Sequence, residues 1–243
     1  MNLEVAQLVP GTETPVGEGI NEPARCLIRT QDGEQRLAVL KRIPTKAIAA
    51  EAFCALVLRA WGLHVHQPFV IEEDGAVIGY ASADDGYPNL KQRMGLTIAL
   101  PDEAKEKLVL SAAQLIAKFS QTPLAIAADE AIDNQDRNLG NILWDGLNVV
   151  WIDHEGAMGI RQEDGQNKLA ALMCLLDSVE PTKVAAVNSA HGIQHSPHVD
   201  AEATAPILFS GLGFGNTLTG RLNNLAADVL KRFPQPQDLL SNQ

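Results

Sequence analysis

The chain of 243 residues is 46% hydrophobic and 20% charged, ordinary for a soluble globular protein and enough material for one compact unit or two small lobes. A formal net charge of −11 argues against non-specific nucleic-acid binding, against docking on anionic membrane, and so against a phosphoinositide substrate. Cys26, Cys54 and Cys174 sit in apolar surroundings without paired spacing, the start M-N-L-E-V-A-Q-L lacks the basic start and apolar core of a signal peptide, and no apolar run reaches membrane-span length, so a reduced, cytoplasmic protein is expected.

In chain order, residues 15–23 (P-V-G-E-G-I-N-E-P) form a turn-rich loop in which Gly17 and Gly19 let backbone N–H groups approach a phosphate. Glu22 stands at the third glycine of a G-x-G-x-x-G pattern, and glycines also serve simply to make turns. Residues 24–29 and 36–43 are strands around the turn Gln31-Asp32-Gly33-Glu34, and Lys41 lies near the end of the second. Pro44-Thr45-Lys46 leads into a helix, A-I-A-A-E-A-F-C-A-L-V-L-R-A-W-G, closed by Gly62. Glu51 is the only carboxylate in that apolar body. A charge there is costly unless paired, and Lys41 is its natural partner; an edge-strand lysine and a surface glutamate are the simpler alternative. Residues 65–72 and 76–81 read as two further strands across Glu73-Asp74-Gly75. Asp84-Asp85-Gly86-Tyr87-Pro88 breaks the pattern and marks the expected boundary between an N-terminal unit, 1–82, and a helical C-terminal unit, 83–243.

A helix begins at Pro101-Asp102-Glu103-Ala104 and runs to about Gln121, with Leu108, Leu115, Ile116 and Phe119 on one face. A second helix covers residues 123–132, and residues 169–178 read as a core helix. His191, His195, His198 and Asp200 are interrupted by Gly192 and Pro197, which points to an exposed loop rather than a zinc site. G-L-G-F-G, residues 211–215, lacks the preceding strand and lysine of a phosphate-binding loop, and a single amphipathic helix follows it.

The densest chemistry lies in residues 131–156, A-I-D-N-Q-D-R-N-L-G-N-I-L-W-D-G-L-N-V-V-W-I-D-H-E-G. Asp136 and Asn141 share a polar loop; two apolar runs joined at Asp145-Gly146 follow, the second ending in Asp153. Loop, strand, tight turn and strand make a hairpin that brings Asn141 and Asp153 together, with Asp136 nearby. Such oxygen donors suit Mg²⁺ carrying a polyphosphate and leave one group to orient a nucleophile, which is the division of labour that phosphoryl transfer needs. Two other readings compete. Asp and Asn also populate loops for turn geometry alone. Asn134, Asp136 and Asn138 alternate as in a calcium loop, but Leu139 stands where an EF-hand needs glycine and Asp145 where it needs glutamate.

These residues resemble a kinase catalytic loop and metal segment. D-R-N-L-G-N is similar to the D-R-H-x-x-N of HipA-like and phosphatidylinositol-type kinases, and W-I-D-H-E-G stands where those families carry a short I-D-x-G-like motif. R-L-A-V-L-K-R-I is similar to the kinase lysine strand, and G-I-N-E-P-A-R to the Gly-x-x-Pro-basic loop of HipA-like kinases. Asn138 replaces the family histidine, and His154-Glu155 separate Asp153 from its glycine.

The resemblance, over about residues 11–180, implies a two-lobed α+β protein-kinase-like fold: a small, mostly antiparallel β lobe with one helix, and a mainly helical large lobe. It implies ATP- and Mg²⁺-dependent phosphorylation of a hydroxyl, on a protein Ser/Thr first and a small molecule second. In that scheme Asp136 orients and deprotonates the acceptor, Asn141 and Asp153 hold Mg²⁺, and Lys41, positioned by Glu51, contacts the ATP phosphates. Gly17 and Gly19 would cover the phosphates, and the Tyr80-Ala81 backbone would meet the adenine. A kinase-fold nucleotide-binding or regulatory module with weak or no turnover is the competing class. Asn138 and the irregular glycine loop favour it; the joint presence of Lys41, Glu51, Asp136, Asn141 and Asp153 disfavours it.

Overall fold

The computed structural model describes residues 3–17, 21–161 and 165–234. In the N-terminal part, β1 (Glu4–Leu8), β2 (Thr14–Pro15), β3 (Ala24–Thr30), β4 (Gln35–Lys41), β5 (Pro68–Glu73) and β6 (Ala76–Ala83) form a six-stranded sheet in the order β1-β5-β6-β4-β3-β2. β1 also pairs with β3, Ala6 opposite Thr30, which closes five of the strands into a ring and leaves β2 on its rim. The β1–β5 pair is parallel, while the two D-G-turn hairpins, β3–β4 and β5–β6, are antiparallel as their sequences indicate.

Period-two alternation sorts the side chains. Cys26 and Ile28, Ala38 and Leu40, Phe69 and Ile71, with Ala6 and Ala81, share a core of their own inside the ring. Val70 and Tyr80, one residue out of step with Phe69 and Ala81, belong instead to the main core with the helix α1 (Thr45–Ala60). At Gly79 the backbones of β6 and β4 come so close that a Cβ would lie 2.8 Å from the Lys41 carbonyl oxygen and 2.8 Å from Leu40 Cδ1. Glycine alone permits that approach, which fixes the end of β4 from which Lys41 projects.

α1 ends as expected at Gly62, whose φ of +93° turns the chain so that the Leu63 N–H reaches the Leu58 carbonyl at 3.0 Å. Residues 47–58 are all buried. A helix apolar on every side must be covered on every side: Tyr80 and Val70 lie in one core with it, and helices from the end of the chain supply further cover. The Phe53 ring meets those of Phe209 and Phe214 at centroid distances of 5.9 and 5.4 Å. Glu51 therefore sits deep inside the molecule.

Among the described residues the C-terminal part is helical apart from one hairpin, β7 (Ile142–Trp144) with β8 (Val149–Trp151). Its helices are α2 (Leu90–Arg93), α3 (Asp102–Ile116), α4 (Thr122–Ile132), α5 (Lys168–Met173), α6 (Glu180–Gly192), α7 (Pro197–Thr204), α8 (Pro206–Phe209), α9 (Phe214–Leu222) and α10 (Leu225–Lys231). The architecture is thus α+β, a barrel lobe followed by a helical lobe. Four local expectations change. α3 stops at Ile116 rather than Gln121: the Thr122 hydroxyl, at the start of α4, donates to the Ile116 carbonyl that a continued helix would have used. α5 ends at Met173, short of residue 178. The histidine segment is a loop only at residues 193–196, which include His195: His191 lies in the last turn of α6, and Pro197 opens α7, which carries His198 and Asp200. The terminal helix is two, interrupted at Asn223-Asn224. Among the described residues, no helix is long and apolar enough to cross a membrane.

Candidate active site

The loop after α4 is held by a buried ion pair. Asp129, in the last turns of α4, accepts Arg137 Nε at 3.0 Å on one oxygen and Arg137 Nη2 at 2.8 Å on the other. Both side chains are almost fully buried, at 2% and 1% exposure, and this bidentate geometry is the strong form of the contact. The remaining guanidinium nitrogen donates to the Asn141 carbonyl at 3.2 Å and to the Ile152 carbonyl. One arginine thus fastens the loop to both open ends of the β7–β8 hairpin. Asn134 reinforces the turn by donating to Asp129 at 2.9 Å and accepting the Asp136 N–H at 3.3 Å. Asn138, at the position of the family histidine, accepts the Gly140 N–H at 2.8 Å and acts as a turn former.

The hairpin pairs Ile142 with Trp151, and the Ile152 N–H donates to the Asn141 carbonyl at 3.2 Å, so Asn141 and Asp153 flank its open end as the spacing predicts. Asn141 Nδ2 donates to the Asp136 carbonyl at 2.8 Å, tying the amide to the base candidate. Asp153 adopts a left-handed conformation, φ +69°, a region that Asp enters more readily than most residues. From there its Oδ1 meets Lys41 Nζ at 2.6 Å.

Lys41 is the hub of the site. Besides Asp153 it reaches Glu155 Oε2 at 3.2 Å and Glu51 Oε2 at 3.6 Å. Burial on its own would lower the ammonium's pKa; the carboxylates of Glu51, Asp153 and Glu155 outweigh it and hold the group charged, well above its ordinary range. Burial likewise pushes the Glu51 carboxyl up, but Lys41, then the His154 side chain and the His154 peptide N–H, which donates to Oε2 at 2.7 Å, bring it down to about 2. Glu155 goes the other way: burial and the neighbouring Asp153 and Glu51 raise it against the pull of Lys41.

Oxygens of Glu51, Asp153 and Glu155 all lie within 4.8 Å of one another. All three touch Lys41, but Glu51 is buried and also accepts the His154 N–H, whereas Asp153 and Glu155 line the cleft and are the hard-oxygen donors that face it. That donor set fits Mg²⁺, which needs only one or two carboxylates when phosphate and water complete its shell.

Asp136 is half-buried, and both of its oxygens face cations: Lys168 Nζ lies 2.6 Å from Oδ1 and an Arg161 Nη atom 3.5 Å from Oδ2. A cleft lined by Asn134, Gln135, Asp136, Asp153, Glu155, Gly156 and Arg161 runs between this carboxylate and the acids at Lys41.

Lys41, Glu51, Asp136, Asn141 and Asp153, drawn from both lobes, are therefore brought together. Tyr80 and Ala81 are not at a free hinge. They lie inside β6, opposite Lys41 and Leu40 on β4 and opposite Val70 and Phe69 on β5. Strands on both edges take up the backbone groups that the adenine placement required, and the linker begins only after Ala83. Gly17 lies in the β2–β3 loop, closed by the Val16 N–H on the Pro23 carbonyl at 2.9 Å; Gly19 lies outside the described residues. From that loop Asn21 Nδ2 donates to Glu155 Oε1, so the segment does reach the site. Sequence reasoning overlooked Glu155, Arg137, Arg161 and Lys168. The first two were legible: Glu155 is a carboxylate two residues after Asp153, and Arg137 answers the charge of Asp129 in an apolar helix.

No protein-family model and no curated protein matches the sequence. In three dimensions the chain is similar to the Helicobacter pylori proinflammatory kinase CtkA, at 13% identity over 93% of this chain and 95% of that one, with a TM-score of 0.61. It is also similar to HipA of Shewanella oneidensis MR-1, solved with HipB and its operator DNA, at 12% identity over 92% of this chain and 68% of that one, with a TM-score of 0.56. At such identities the likeness is one of fold, and the fold of this chain is that of the HipA-like kinases.

Proposed function

We propose that this protein is an ATP- and Mg²⁺-dependent phosphotransferase acting on a hydroxyl, with a protein Ser/Thr as the first acceptor class and a small molecule as the second. The observation that carries this reading is the convergence on Lys41: its ammonium lies 2.6 Å from Asp153 and 3.6 Å from Glu51, groups from the hairpin of one lobe and the helix of the other. Lys41, held by Glu51, receives the nucleotide phosphates. Asn141, Asp153 and Glu155 would hold Mg²⁺, which when bound neutralises phosphate charge. Asp136 orients the acceptor hydroxyl and takes its proton. The Tyr80-Ala81 contact with adenine is dropped, and residues 84–89, which follow β6, take that place. The boundary between the two lobes falls in the same segment. The similarity of fold to the kinase CtkA and to HipA supports the reading.

Saturation with ATP and Mg²⁺ at about 100 times Kd adds about 2.7 kcal/mol of apparent stability, so melting should shift upward, and radiolabel should pass from γ-labelled ATP to the protein itself or to lysate. Asp153→Asn should abolish metal-dependent transfer; a variant that transfers as fast as wild type refutes the assignment. A nucleotide-binding module without turnover is the second reading, because cations face both oxygens of Asp136. It requires the melting shift without label transfer.

A further inference from the structure

The negative groups of the cleft outnumber the cations that serve them from the catalytic loop. Arg137 is consumed by Asp129 and two carbonyls, and Lys41 lies on the far side among Glu51, Asp153 and Glu155. Positions 138 to 140 of the loop, Asn-Leu-Gly, bring no positive charge. Phosphoryl transfer spreads negative charge over the three non-bridging oxygens of the moving group, and among the described residues the guanidinium of Arg161 occupies the space between Asp136 and the metal acids. One Nη atom lies 3.5 Å from Asp136 Oδ2 and the other 3.4 Å from Glu155 Oε1, so the planar fork spans the gap between the base candidate and the metal acids. Gly156 makes this possible: a Cβ there would lie 3.3 Å from Arg161 Cβ and 3.7 Å from its Nε, so a side chain at 156 would crowd Arg161 as it lies across the cleft. With 41% of its side chain exposed, Arg161 is free of the burial that immobilises Arg137.

Resting on the phosphotransferase reading above, we propose that Arg161 is a catalytic residue that exchanges its contacts with Asp136 and Glu155 for the γ-phosphate of ATP, while Lys168 stays on Asp136 Oδ1. In the transfer, the bond from the γ-phosphorus to the bridging oxygen of ADP breaks and ADP leaves with the electron pair. The acceptor oxygen forms the new bond to phosphorus, its proton passes to Asp136, and Arg161 hydrogen-bonds non-bridging oxygens throughout. A bidentate fork matches two phosphate oxygens as it now matches two carboxylates. Arg161 also serves the resting state: by bridging Asp136 and Glu155 it offsets their repulsion before nucleotide arrives.

The test is the preference for ATP over ADP, titrated calorimetrically with Mg²⁺ present, in wild type, Arg161→Ala and Arg161→Lys, alongside turnover. Arg161→Ala should weaken ATP about tenfold or more, as loss of a charge-assisted bond does, leave ADP within about twofold, and lower kcat about 100- to 1000-fold, the scale of a lost transition-state donor. Arg161→Lys should fall between. An ATP-over-ADP ratio in Arg161→Ala equal to wild type overturns the proposal, and so does a change confined to the KM of the acceptor. Wild-type protein that binds neither nucleotide overturns the phosphotransferase reading and this proposal with it, a pattern distinct from normal wild-type binding with an indifferent Arg161→Ala.

Discussion

Replacing Lys41 by Met tests whether one ammonium holds the two lobes' charges together. The substitution keeps the aliphatic length and removes the charge, leaving Glu51 at 3% exposure and Glu155 at 10% without their main cation. At the observed 3.6 Å, the Lys41–Glu51 attraction is about 4–5 kcal/mol for an effective dielectric of about 20. The His154 N–H, 2.7 Å from Glu51, is retained in the variant. A broken buried pair costs about 3–5 kcal/mol; the surviving hydrogen bond places the expected loss near about 3 kcal/mol, or roughly 6–12 °C in Tm for a chain of this size. The loss should depend on pH. Without Lys41, burial of Glu51 is opposed only by the His154 contacts, so the acid-side loss of stability should be smaller in Lys41→Met than in wild type. Adding Glu51→Gln should recover about 2 kcal/mol of the Lys41→Met loss, a coupling of the size seen for residues in contact. Urea titration of wild type, both single variants and the double variant near neutrality and near pH 4.5 measures all of this. A Lys41→Met loss below about 1 kcal/mol, or purely additive variants, refutes the hub.

Two further results follow from the same charges. In wild type the Glu51 pKa is depressed from 4.5 to about 2, so its stabilisation is fully present above the unfolded value and is lost as pH falls through that window. About 1.4 kcal/mol should be gone at about pH 3.5, partly offset by Glu155, whose raised pKa acts in the opposite direction; Glu51→Gln should lack this acid-induced loss in urea midpoints, and a variant with the wild-type slope contradicts it. Arg137→Met strips the buried Asp129 of its partner and frees both ends of the hairpin, at a cost of about 3–5 kcal/mol; unaltered hydrogen-exchange protection at Asn141 and Ile152 would show that Arg137 fastens nothing.

What the sequence disclosed about the site, and what it withheld, divides by the range of the physics involved. The β7–β8 ends are set by the Asp145-Gly146 turn signal between two short apolar runs, so Asn141 and Asp153 were placed by local rules alone. The Lys41–Glu51 contact joins two elements, yet it too was legible, because a carboxylate in an apolar helix requires a cation whatever the fold. The same argument applied to Asp129, buried at 2% in α4, would have pointed to Arg137. Closure of the barrel was not legible: β1 is five residues long with Glu4 and Gln7 among them, and its pairing with β3 and β5 is entirely long-range. The hinge was misplaced for a related reason. Ala81 and Tyr80 alternate between barrel interior and main core like any strand residues, and only the register of both neighbouring strands shows that β6 continues to Ala83.

Arg161 and Lys168 stand furthest from sequence reasoning, 25 and 32 residues after Asp136 with no motif to mark them. Exposed basic residues are common, and each carries no burial cost that would demand a partner. Only three-dimensional bookkeeping of charge around the cleft singles them out. A catalytic loop whose own arginine is buried in a structural pair, and whose next three residues are Asn, Leu and Gly, has to draw its phosphate-facing cations from elsewhere in the chain. If that compensation is general, moving a cation into the loop should relieve the need for Arg161. In an Arg161→Ala background, Asn138→Lys should restore part of the lost ATP-over-ADP preference; a double variant no better than Arg161→Ala would show that the position of the guanidinium, and not charge in the cleft alone, is what the site requires.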